Sequence, residues 1–364
     1  MPDRARWRER AAVGALAIAA TLLALLGAEG LLRLLPLASV QRLQSRQQAR
    51  PGARAPHPRG LYRLHPVVGW TLAPGYAGRF EGGDFAIAVA ASADGLRDRD
   101  FGPKPPGTIR ILGLGDSFAF GWGVENDQSL FKVLEKRLDA AAPGRYEVVN
   151  AGIPGFGTYE SLQMLHWLAP RYDPDLVVLA FYEGNDYHNN GDAPRARVVE
   201  DGYLRDAPAS AGGPWRTLRG RSVLAALADA GLSGLARKRR FASDVARTRA
   251  LLGEMKASLD ARGAPLVVLF IPDQDPESYR RPAPLRAYDR LASGLEARQA
   301  RQALRAYCGD HGIAWCALSA RFEGEDARLR LADTHFNARG HAEAAGELLT
   351  CLREHLPGAH ESAD

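Results

Sequence analysis

The stretch IRILGLGDSFAFGWG, at residues 109–123, joins an apolar run to a glycine-rich turn with a serine at its corner. The run IRILGLG has the length of a strand and lacks polar alternation, which is typical of a strand covered on both faces of a sheet. Ser117 therefore stands where a buried strand ends and a helix is expected to begin. A serine in that place is either the N-cap of the helix or a nucleophile, and the rest of the chain has to decide between them.

Four more apolar runs follow, and helical patterns separate them. The runs are YEVVNAG (146–152), DLVVLAFY (175–182), PLVVLFIP (265–272) and IAWCAL (313–318). The helical stretches are SLFKVLEKRLDAA, YESLQMLHWLAPRY, DVARTRALLGEMKASLDARG, a long one near 285–308, and HAEAAGELLTCLREHL. This alternation predicts an α/β domain over residues 109–356, with a mostly parallel sheet and helices on both of its faces.

The N-terminus has the pattern of a membrane anchor. Four arginines within residues 4–10 precede an uncharged run from Ala11 to Ala28, and about 27 Å of helix nearly matches the ~30 Å of bilayer hydrocarbon. The basic flank should stay in the cytoplasm, so we expect a single transmembrane helix within residues 1–38 and a periplasmic or extracellular location for the rest. A cleaved signal peptide and a buried helix of a soluble protein are the alternatives, but PLA before Ser39 is a poor cleavage site and the run has no polar face.

The composition changes along the remaining chain. Residues 39–60, rich in Gln, Arg, Pro and Gly, are predicted to be a linker, residues 61–108 a small β-rich apron, and residues 357–364 a tail. Residues 187–243 form a long insertion in the α/β domain, and such insertions at the carboxyl edge of a parallel sheet often shape a binding site. The Leu/Ala stretch SVLAALADAGLSGLARKRR within it is predicted to be a helix, either of a cap over the site or packed on the outside of the domain.

Composition and cysteine count exclude some classes of partner. The net charge of +5 over 364 residues is modest, and no lysine-rich stripe with interleaved aromatic residues is present, so we expect no nucleic-acid partner. The spacing of Cys308, Cys316 and Cys351 fits no metal motif. Three cysteines allow at most one internal disulfide, and the sequence leaves open which pair forms it.

Polar groups follow three of the predicted strands and precede the last helix. Ser117 follows the first strand, Gly155 lies in NAGIPGFGT after the second, and Asn185 lies in EGND after the third. Asp333 and His335 lie in ADTHFNARGH before the last helix. Acyl transfer needs a nucleophile, a base, an acid that orients the base, and donors for the oxyanion. Each motif alone is a common turn or cap, and their ordered occurrence at one rim of the sheet is what predicts a site.

In this respect the chain resembles the SGNH, or GDSL-type, hydrolases. The four blocks of that family are matched in order by GDS (115–117), NAGIPG (150–155), GND (184–186) and DTHFNARGH (333–341). The resemblance covers roughly residues 109–356 and leaves out the anchor, the linker, the apron and the insertion. It implies a flavodoxin-like three-layer α/β/α sandwich and a chemistry that needs neither a metal nor a cofactor.

The resemblance also assigns roles to the candidate residues. It implies a triad of Ser117 as the nucleophile, His335 as the base and Asp333 as the acid, with an oxyanion hole formed by the backbone N–H groups of Ser117 and Gly155 and by the Asn185 side chain. The chain departs from the family pattern at one point, because only Thr334 separates the acid from the base where two residues are usual. Asp-x-His also occurs in SGNH-like proteins of cell-surface polysaccharide O-acetylation. Two neighbours are expected to be structural: Asp116 as a hydrogen-bonding residue and His341 as a packing or capping residue.

Three functions are compatible with this pattern. The leading hypothesis is a membrane-anchored, exported serine esterase that removes a small O-acyl group, such as acetyl, from a cell-envelope glycan. The second keeps the triad and passes the acyl group to a sugar, as an O-acyltransferase of exported polysaccharide. The third is a non-catalytic glycan-binding protein with the same fold, although a binding module has no need for all five of these residues. Protein partners are not indicated by any motif.

Overall fold

The computed structural model describes residues 3–34, 57–207, 218, 221–273, 294–323 and 327–356. The predicted tail lies outside the described residues, as does the predicted linker apart from its last four residues. The chain divides into two compact units, Met1–Arg54 with Pro208–Arg239 and Ala55–Ala207 with Arg240–Asp364. The sheet and the candidate site belong to the second unit.

The first unit contains one apolar helix. Helix α1 (Asp3–Leu34) includes the span Val13–Leu34, 22 residues with a mean hydropathy of 2.0 and none of its apolar window buried. By length and composition this span suits a membrane anchor or a signal sequence. The helix continues past the uncharged run that ends at Ala28, and there the carboxylate of Glu29 accepts hydrogen bonds from the backbone N–H groups of Val223 and Leu224.

The segment predicted to be a β-rich apron consists of two hairpins within the described residues. Strand β1 (Tyr62–His65) pairs antiparallel with β2 (Gly69–Leu72), and β3 (Ala77–Glu81) pairs antiparallel with β4 (Ala86–Ala90). Trp70, Leu72, Phe80 and Ile87 from these strands are buried in the same core as the helices of the α/β domain. The apron is therefore packed on the α/β domain rather than standing apart from it.

The α/β domain follows the predicted alternation of strands and helices. In chain order its elements are β5 (Ile109–Gly115), α2 (Ser117–Phe120), α3 (Leu130–Ala141), β6 (Tyr146–Asn150), α4 (Thr158–Tyr172), β7 (Leu176–Tyr182), α5 (Asp186–Gly191), β8 (Arg197–Glu200), β9 (Tyr203–Asp206), α6 (Val223–Asp260), β10 (Leu266–Ile271), α7 (Gly294–Asp310), β11 (Ala314–Ala317) and α8 (Ala338–Leu352). Strands β8 and β9 form an antiparallel hairpin inside the insertion. The five apolar runs of the sequence are the strands β5, β6, β7, β10 and β11.

These five strands form one parallel sheet in the order β11-β10-β7-β5-β6. Successive residues along a strand enter opposite cores, since Ile111 packs with the residues of α3 and α8 whereas Leu112 packs with those of α4, α6 and α7. Both faces of the sheet are thus covered, which explains why its strands read as unbroken apolar runs. The predicted flavodoxin-like α/β/α sandwich is confirmed.

The strand order leaves a crevice at one edge of the sheet. The chain passes from β5 to β6 on one side and later returns to β7 on the other, so the connections leaving β5 and β7 diverge. Ligands of open parallel sheets bind at such a switch point, outside the carboxyl ends of the strands. Ser117 follows β5 and Asn185 follows β7, so the two residues flank this crevice.

Two helices predicted as separate are continuous in the structure. The insertion helix and the helix predicted to start at residue 244 are one continuous helix, α6. The stretch RKRRFAS between them contains neither glycine nor proline, so nothing in it interrupts the backbone hydrogen bonds. The helix predicted near residues 285–308 is described over Gly294–Asp310, and residues 274–293 lie outside the described ranges.

A disulfide connects the last strand of the sheet to the last helix. Cys316 of β11 and Cys351 of α8 are bonded, with their Cα atoms 5.9 Å apart. Cys308 of α7 is a buried free thiol. The pairing that the sequence left open is therefore decided by the packing of α8 beside β11.

Replacing Cys316 or Cys351 by serine should lower the free energy of unfolding by about 2–4 kcal/mol, because the bond closes a long loop in the unfolded chain. Cys308→Ser is the matched control. Because Cys308 is not in the disulfide, a reducing agent should lower the free energy of unfolding of this variant as much as it lowers that of the wild type. Denaturant unfolding with and without the reducing agent measures both effects. Non-reducing peptide mapping that linked Cys308 to either partner would contradict the assignment.

Candidate active site

The serine at the corner after β5 is not the cap of the helix that follows. The side chain of Asp116 is the cap, because its Oδ1 accepts a hydrogen bond from the Phe118 N–H at 2.9 Å. Gly115 has φ of +142°, and a Cβ there would lie 2.7 Å from the carbonyl oxygen of Ala180. The corner therefore needs a glycine, and the hydroxyl of Ser117 remains available for another contact.

That contact is with the imidazole of His335. The distance between Ser117 Oγ and His335 Nε2 is 2.8 Å, across 218 positions of the chain. On the other side of the ring, His335 Nδ1 lies 3.1 Å from Oδ1 of Asp333. The contact between Nδ1 and Oδ1 is within ion-pair distance, but its angles are not those of a hydrogen bond, and Nδ1 has no other hydrogen-bond partner among the described residues. The three residues predicted as a triad are thus brought together in the predicted order.

The short acid–base spacing is accommodated by an unusual backbone conformation. Thr334, the single residue between Asp333 and His335, has φ of +81°. A β-branched residue rarely occupies this left-handed region, and such strain persists only where surrounding contacts hold it. Here the carbonyl of Thr334 accepts from Arg330 Nη1 at 2.7 Å, and the carbonyl of His335 accepts from the Leu331 N–H at 2.8 Å. The turn directs the carboxylate and the imidazole to the same side of the loop.

Trp122, which the sequence analysis did not single out, contacts both members of this pair. Its indole Nε1–H donates to Oδ2 of Asp333 at 2.8 Å, and its ring stacks on that of His335 with centroids 5.2 Å apart. Burial alone would raise the pKa of Asp333, but the adjacent imidazole of His335 and its charge, the backbone N–H of His335 and the indole N–H of Trp122 lower it. The only indication of this role in the sequence was local, since glycines flank the tryptophan at Gly121 and Gly123. In the structure both glycines have positive φ.

Three donors converge near the serine hydroxyl. The backbone N–H groups of Ser117 and Gly155 contact no acceptor in the described part of the chain. Asn185 donates through Nδ2 to Oδ2 of the buried Asp116 at 3.0 Å, which leaves its second amide hydrogen free. Gly155 has φ of +84°, and its carbonyl accepts a hydrogen bond from Arg195. The predicted oxyanion residues therefore lie together, and Arg195 is a further supporting residue that the sequence did not indicate.

These groups face a cavity of about 310 Å³. Its walls come from the apron, the α/β domain and the β8–β9 hairpin, and the lining residues are His57, Trp70, Ser117, Phe118, Trp122, Pro154, Gly155, Tyr182, Asn185, Arg197, Leu204, Thr334 and His335. No group of three or more His, Cys, Asp or Glu side chains in the described ranges is arranged to hold a metal ion. The arrangement suits nucleophilic attack by a hydroxyl on a small carbonyl compound.

The family model of the GDSL-like lipase/acylhydrolase family matches residues 114–343. The chain belongs to this family. It is therefore a hydrolase of the esterase or acylhydrolase type. No curated protein matches it.

Several solved structures are similar to the chain. TesA shares 20% sequence identity with a TM-score of 0.43, covering 68% of this chain and 99% of that one. The psychrotrophic esterase EstA from Pseudoalteromonas sp. shares 14% with a TM-score of 0.42, covering 67% and 97% of the two chains. The lipase/acylhydrolase from Enterococcus faecalis shares 16% with a TM-score of 0.42, covering 68% and 97%.

In this GDSL-family hydrolase the apron holds the turn that carries the serine. Arg97, only 1% exposed, donates hydrogen bonds to backbone carbonyls at the end of α2, in the loop after it and in β4. The acceptors are Ala88, Phe120, Gly121 and Val124. A buried arginine that serves four carbonyls from three segments resists their separation.

His341 has the structural role that was expected of it. It is buried, and its Nδ1 accepts a hydrogen bond from the Leu130 N–H at the start of α3 at 3.2 Å. Burial, with smaller effects of the charges on Arg97 and His335, lowers the pKa of His341 to about 3. The ring is therefore neutral at physiological pH and acts as an acceptor.

Trp122→Phe should lower kcat for ester hydrolysis by about tenfold with little change in KM, because it removes the N–H that orients Asp333 and keeps an aromatic ring on His335. Trp167→Phe is the matched control, since that indole packs on His65 outside the cavity. The effect should vanish in an Asp333→Asn background, where no carboxylate remains to orient. Equal losses in both backgrounds would show that Trp122 does not act through Asp333.

Lowering the pH should destabilise the fold through His341. Its pKa is about 3 when folded and about 6.5 when unfolded, so between these values the unfolded chain binds a proton that the folded chain does not. The free energy of unfolding then falls with pH below about 6.5, by about 2 kcal/mol at pH 5.

His341→Gln keeps an acceptor for the Leu130 N–H and removes the titration, so it should lose less stability than the wild type between pH 7 and pH 5. Denaturant unfolding at both pH values measures the difference. His57, whose pKa burial and the charge of Arg197 lower to about 4, is present in both proteins and cancels. Equal losses in the two proteins would contradict the assignment.

Proposed function

We propose that the protein is an exported serine esterase that removes small O-acyl groups, with acetyl as the leading candidate, through an acyl-serine intermediate. The observation that carries the proposal is the 2.8 Å contact between Ser117 Oγ and His335 Nε2 inside the cavity. A hydroxyl becomes a competent nucleophile when a neighbouring base accepts its proton.

In the proposed mechanism Ser117 Oγ attacks the carbonyl carbon of the ester while His335 Nε2 takes the hydroxyl proton. The carboxylate of Asp333 stabilises the imidazolium that results. The negative charge on the carbonyl oxygen is stabilised by the N–H groups of Ser117 and Gly155 and by the free amide hydrogen of Asn185. Each such donor contributes roughly 10²–10³ in rate.

The intermediate then collapses by breaking the bond to the alcohol oxygen, and the alcohol leaves with the proton held by His335. In the second half of the reaction a water molecule attacks the acyl-serine, and His335 accepts one of its protons. Collapse of the second intermediate releases the carboxylic acid and returns the proton to Ser117. No metal or cofactor takes part in these steps.

The size of the cavity supports a small acyl group. About 310 Å³ must accommodate the acyl group and part of the alcohol, and aromatic residues, among them Trp122 and Phe118, close the wall near the serine. The apolar helix α1 and the Cys316–Cys351 disulfide both support an exported location, since disulfides persist in oxidising compartments.

A second candidate, O-acyl transfer to a polysaccharide, is favoured by the walls of the cavity. The β8–β9 hairpin of the insertion contributes Arg197 and Leu204 to the lining, so that an acceptor sugar bound there would compete with water for the acyl-serine. Such a transferase would use the same triad. The two functions differ only in the fate of the intermediate.

Ser117→Ala should lower kcat/KM for p-nitrophenyl acetate by at least about 10³-fold, because it removes the group that forms the acyl-enzyme. Ser161→Ala is the control, since Ser161 is a buried serine of α4 whose hydroxyl has no partner among the described residues. Stopped-flow measurements on full-length protein in detergent also separate the two candidates: a burst followed by steady turnover indicates a hydrolase. A burst with almost no turnover, relieved by a glycan acceptor, indicates a transferase.

Wild-type protein that hydrolysed none of several activated esters, or a Ser117→Ala variant with unchanged activity, would overturn the proposal. In the first case, where the wild type cleaves no ester, the non-catalytic glycan-binding function would be the remaining candidate; in the second, catalysis would depend on a residue other than Ser117.

A further inference from the structure

One cationic side chain lies in the wall of the cavity beside the serine. Among the described lining residues, Arg197 alone has a permanent charge, and no Asp or Glu belongs to that wall. Its side chain is 19% exposed, and its guanidinium carbon lies 5.1 Å from the centroid of the Trp70 ring. A charge held against a buried aromatic face is fixed in position and only partly hydrated.

The neighbouring charges leave the inside of the cavity positive. Arg195 also lies over Trp70, but it pairs with the buried carboxylate of Glu160 at 3.1 Å, so these two charges offset each other. His57 stays neutral at pH 7, because burial and the charge of Arg197 lower its pKa to about 4. The carboxylate that pairs with Arg197 is that of Asp206, whose side chain is 82% exposed. Water screens that carboxylate far more than it screens the guanidinium.

The guanidinium also retains unused donor capacity. Its Nη1 contacts Asp206 Oδ1 at 2.7 Å, and its Nε is buried without a partner in the described part of the chain. The enclosed Nε lies out of reach of a ligand in the cavity, so a ligand carboxylate would accept from the Nη donors of the fork. The contact with Asp206 shows that a carboxylate fits the guanidinium, and the ion pair is weak enough to exchange because Asp206 is exposed to water.

We propose that Arg197 binds a carboxylate of the substrate, so that the natural substrate is an acylated acidic compound such as a glycan that contains acylated uronate residues. This inference rests on the proposed esterase function and names its substrate class. In the free enzyme Asp206 occupies the guanidinium in place of the substrate carboxylate. Binding of the acidic substrate exchanges one carboxylate for another on the guanidinium.

The test compares esters that share an acetyl group and differ in charge. The probes are 4-acetoxybenzoate, its 3-isomer and the uncharged methyl esters of both, hydrolysed by the full-length protein in detergent at low ionic strength. For the wild type and each variant, the ratio of kcat/KM for the acid to kcat/KM for its methyl ester is measured. The intrinsic reactivities of the probes cancel when these ratios are compared between proteins.

Arg197→Gln should lower this ratio for at least one isomer by about tenfold, the factor expected for a charge-assisted hydrogen bond. Arg197→Lys should keep part of the preference, because it keeps the charge and loses the fork of donors. Asp206→Asn should raise the preference, because it removes the competing carboxylate. Added salt should reduce the preference of the wild type.

Arg205→Gln is the matched control. Arg205 lies on the same hairpin and pairs with Glu200 at 3.7 Å outside the cavity lining, so the ratio should not change. A ratio that stayed the same in Arg197→Gln, or that fell equally in Arg205→Gln, would overturn the inference.

The failure of this inference is distinguishable from the failure of the proposed function. A wild type that cleaved both kinds of ester without dependence on Arg197 would overturn only the substrate class. A wild type that cleaved neither kind would overturn the esterase function itself. Stronger preference for 4-acetoxyphenyl phosphate than for the carboxylate would assign Arg197 to phosphate and overturn the carboxylate assignment.

Discussion

A buried carboxylate connects the two strand ends between which the cavity opens. One oxygen of Asp116 caps the short helix that carries Ser117, and the other accepts the amide of Asn185 from the far side of the crevice. Burial raises the pKa of Asp116, while the hydrogen bonds from the Phe118 N–H and from Asn185 oppose that shift. The nucleophile turn and the side chain proposed for the oxyanion hole are therefore held at one separation by a single side chain. Because strand order brings β5 next to β7, this bridge needs no long reach.

The acid and the base are held by a different kind of support. With one residue between them, Asp333 and His335 meet at ion-pair distance without an aligned hydrogen bond, and the indole of Trp122 occupies the other carboxylate oxygen. Trp122 in turn contacts Phe80 and His57, with ring centroids 4.7 and 5.2 Å away. The apron thus reaches the base through an aromatic chain, and it reaches the nucleophile turn through the guanidinium of Arg97. These contacts give a physical reason for the packing of the apron on the family domain.

Charge and shape divide the cavity into two parts. The side near Ser117 presents uncharged donors and aromatic rings, which suit an ester carbonyl and a small acyl group. The side formed by β8 presents Arg197, whose charge is only partly offset by an exposed aspartate. A single cavity with a neutral reacting end and a cationic end favours a substrate that has the same polarity. Family membership sets the type of reaction, whereas this asymmetry depends on the insertion and on the apron, which lie outside the family's motif blocks.

The amino-acid sequence by itself determined the α/β class, the five strands and the ordered motif residues, because each of these depends on local patterns. An apolar run of strand length is buried wherever it lies, and the carboxyl ends of parallel strands always meet at one edge. Tertiary structure decided what depends on distant parts of the chain. Trp122 and Asp333 are 211 positions apart, Cys316 is bonded to Cys351 rather than to Cys308, and Arg197 lines the cavity only because the β8–β9 hairpin packs beside it. No periodicity or spacing encodes such contacts, since they follow from how the apron, the insertion and the last helix pack around the sheet.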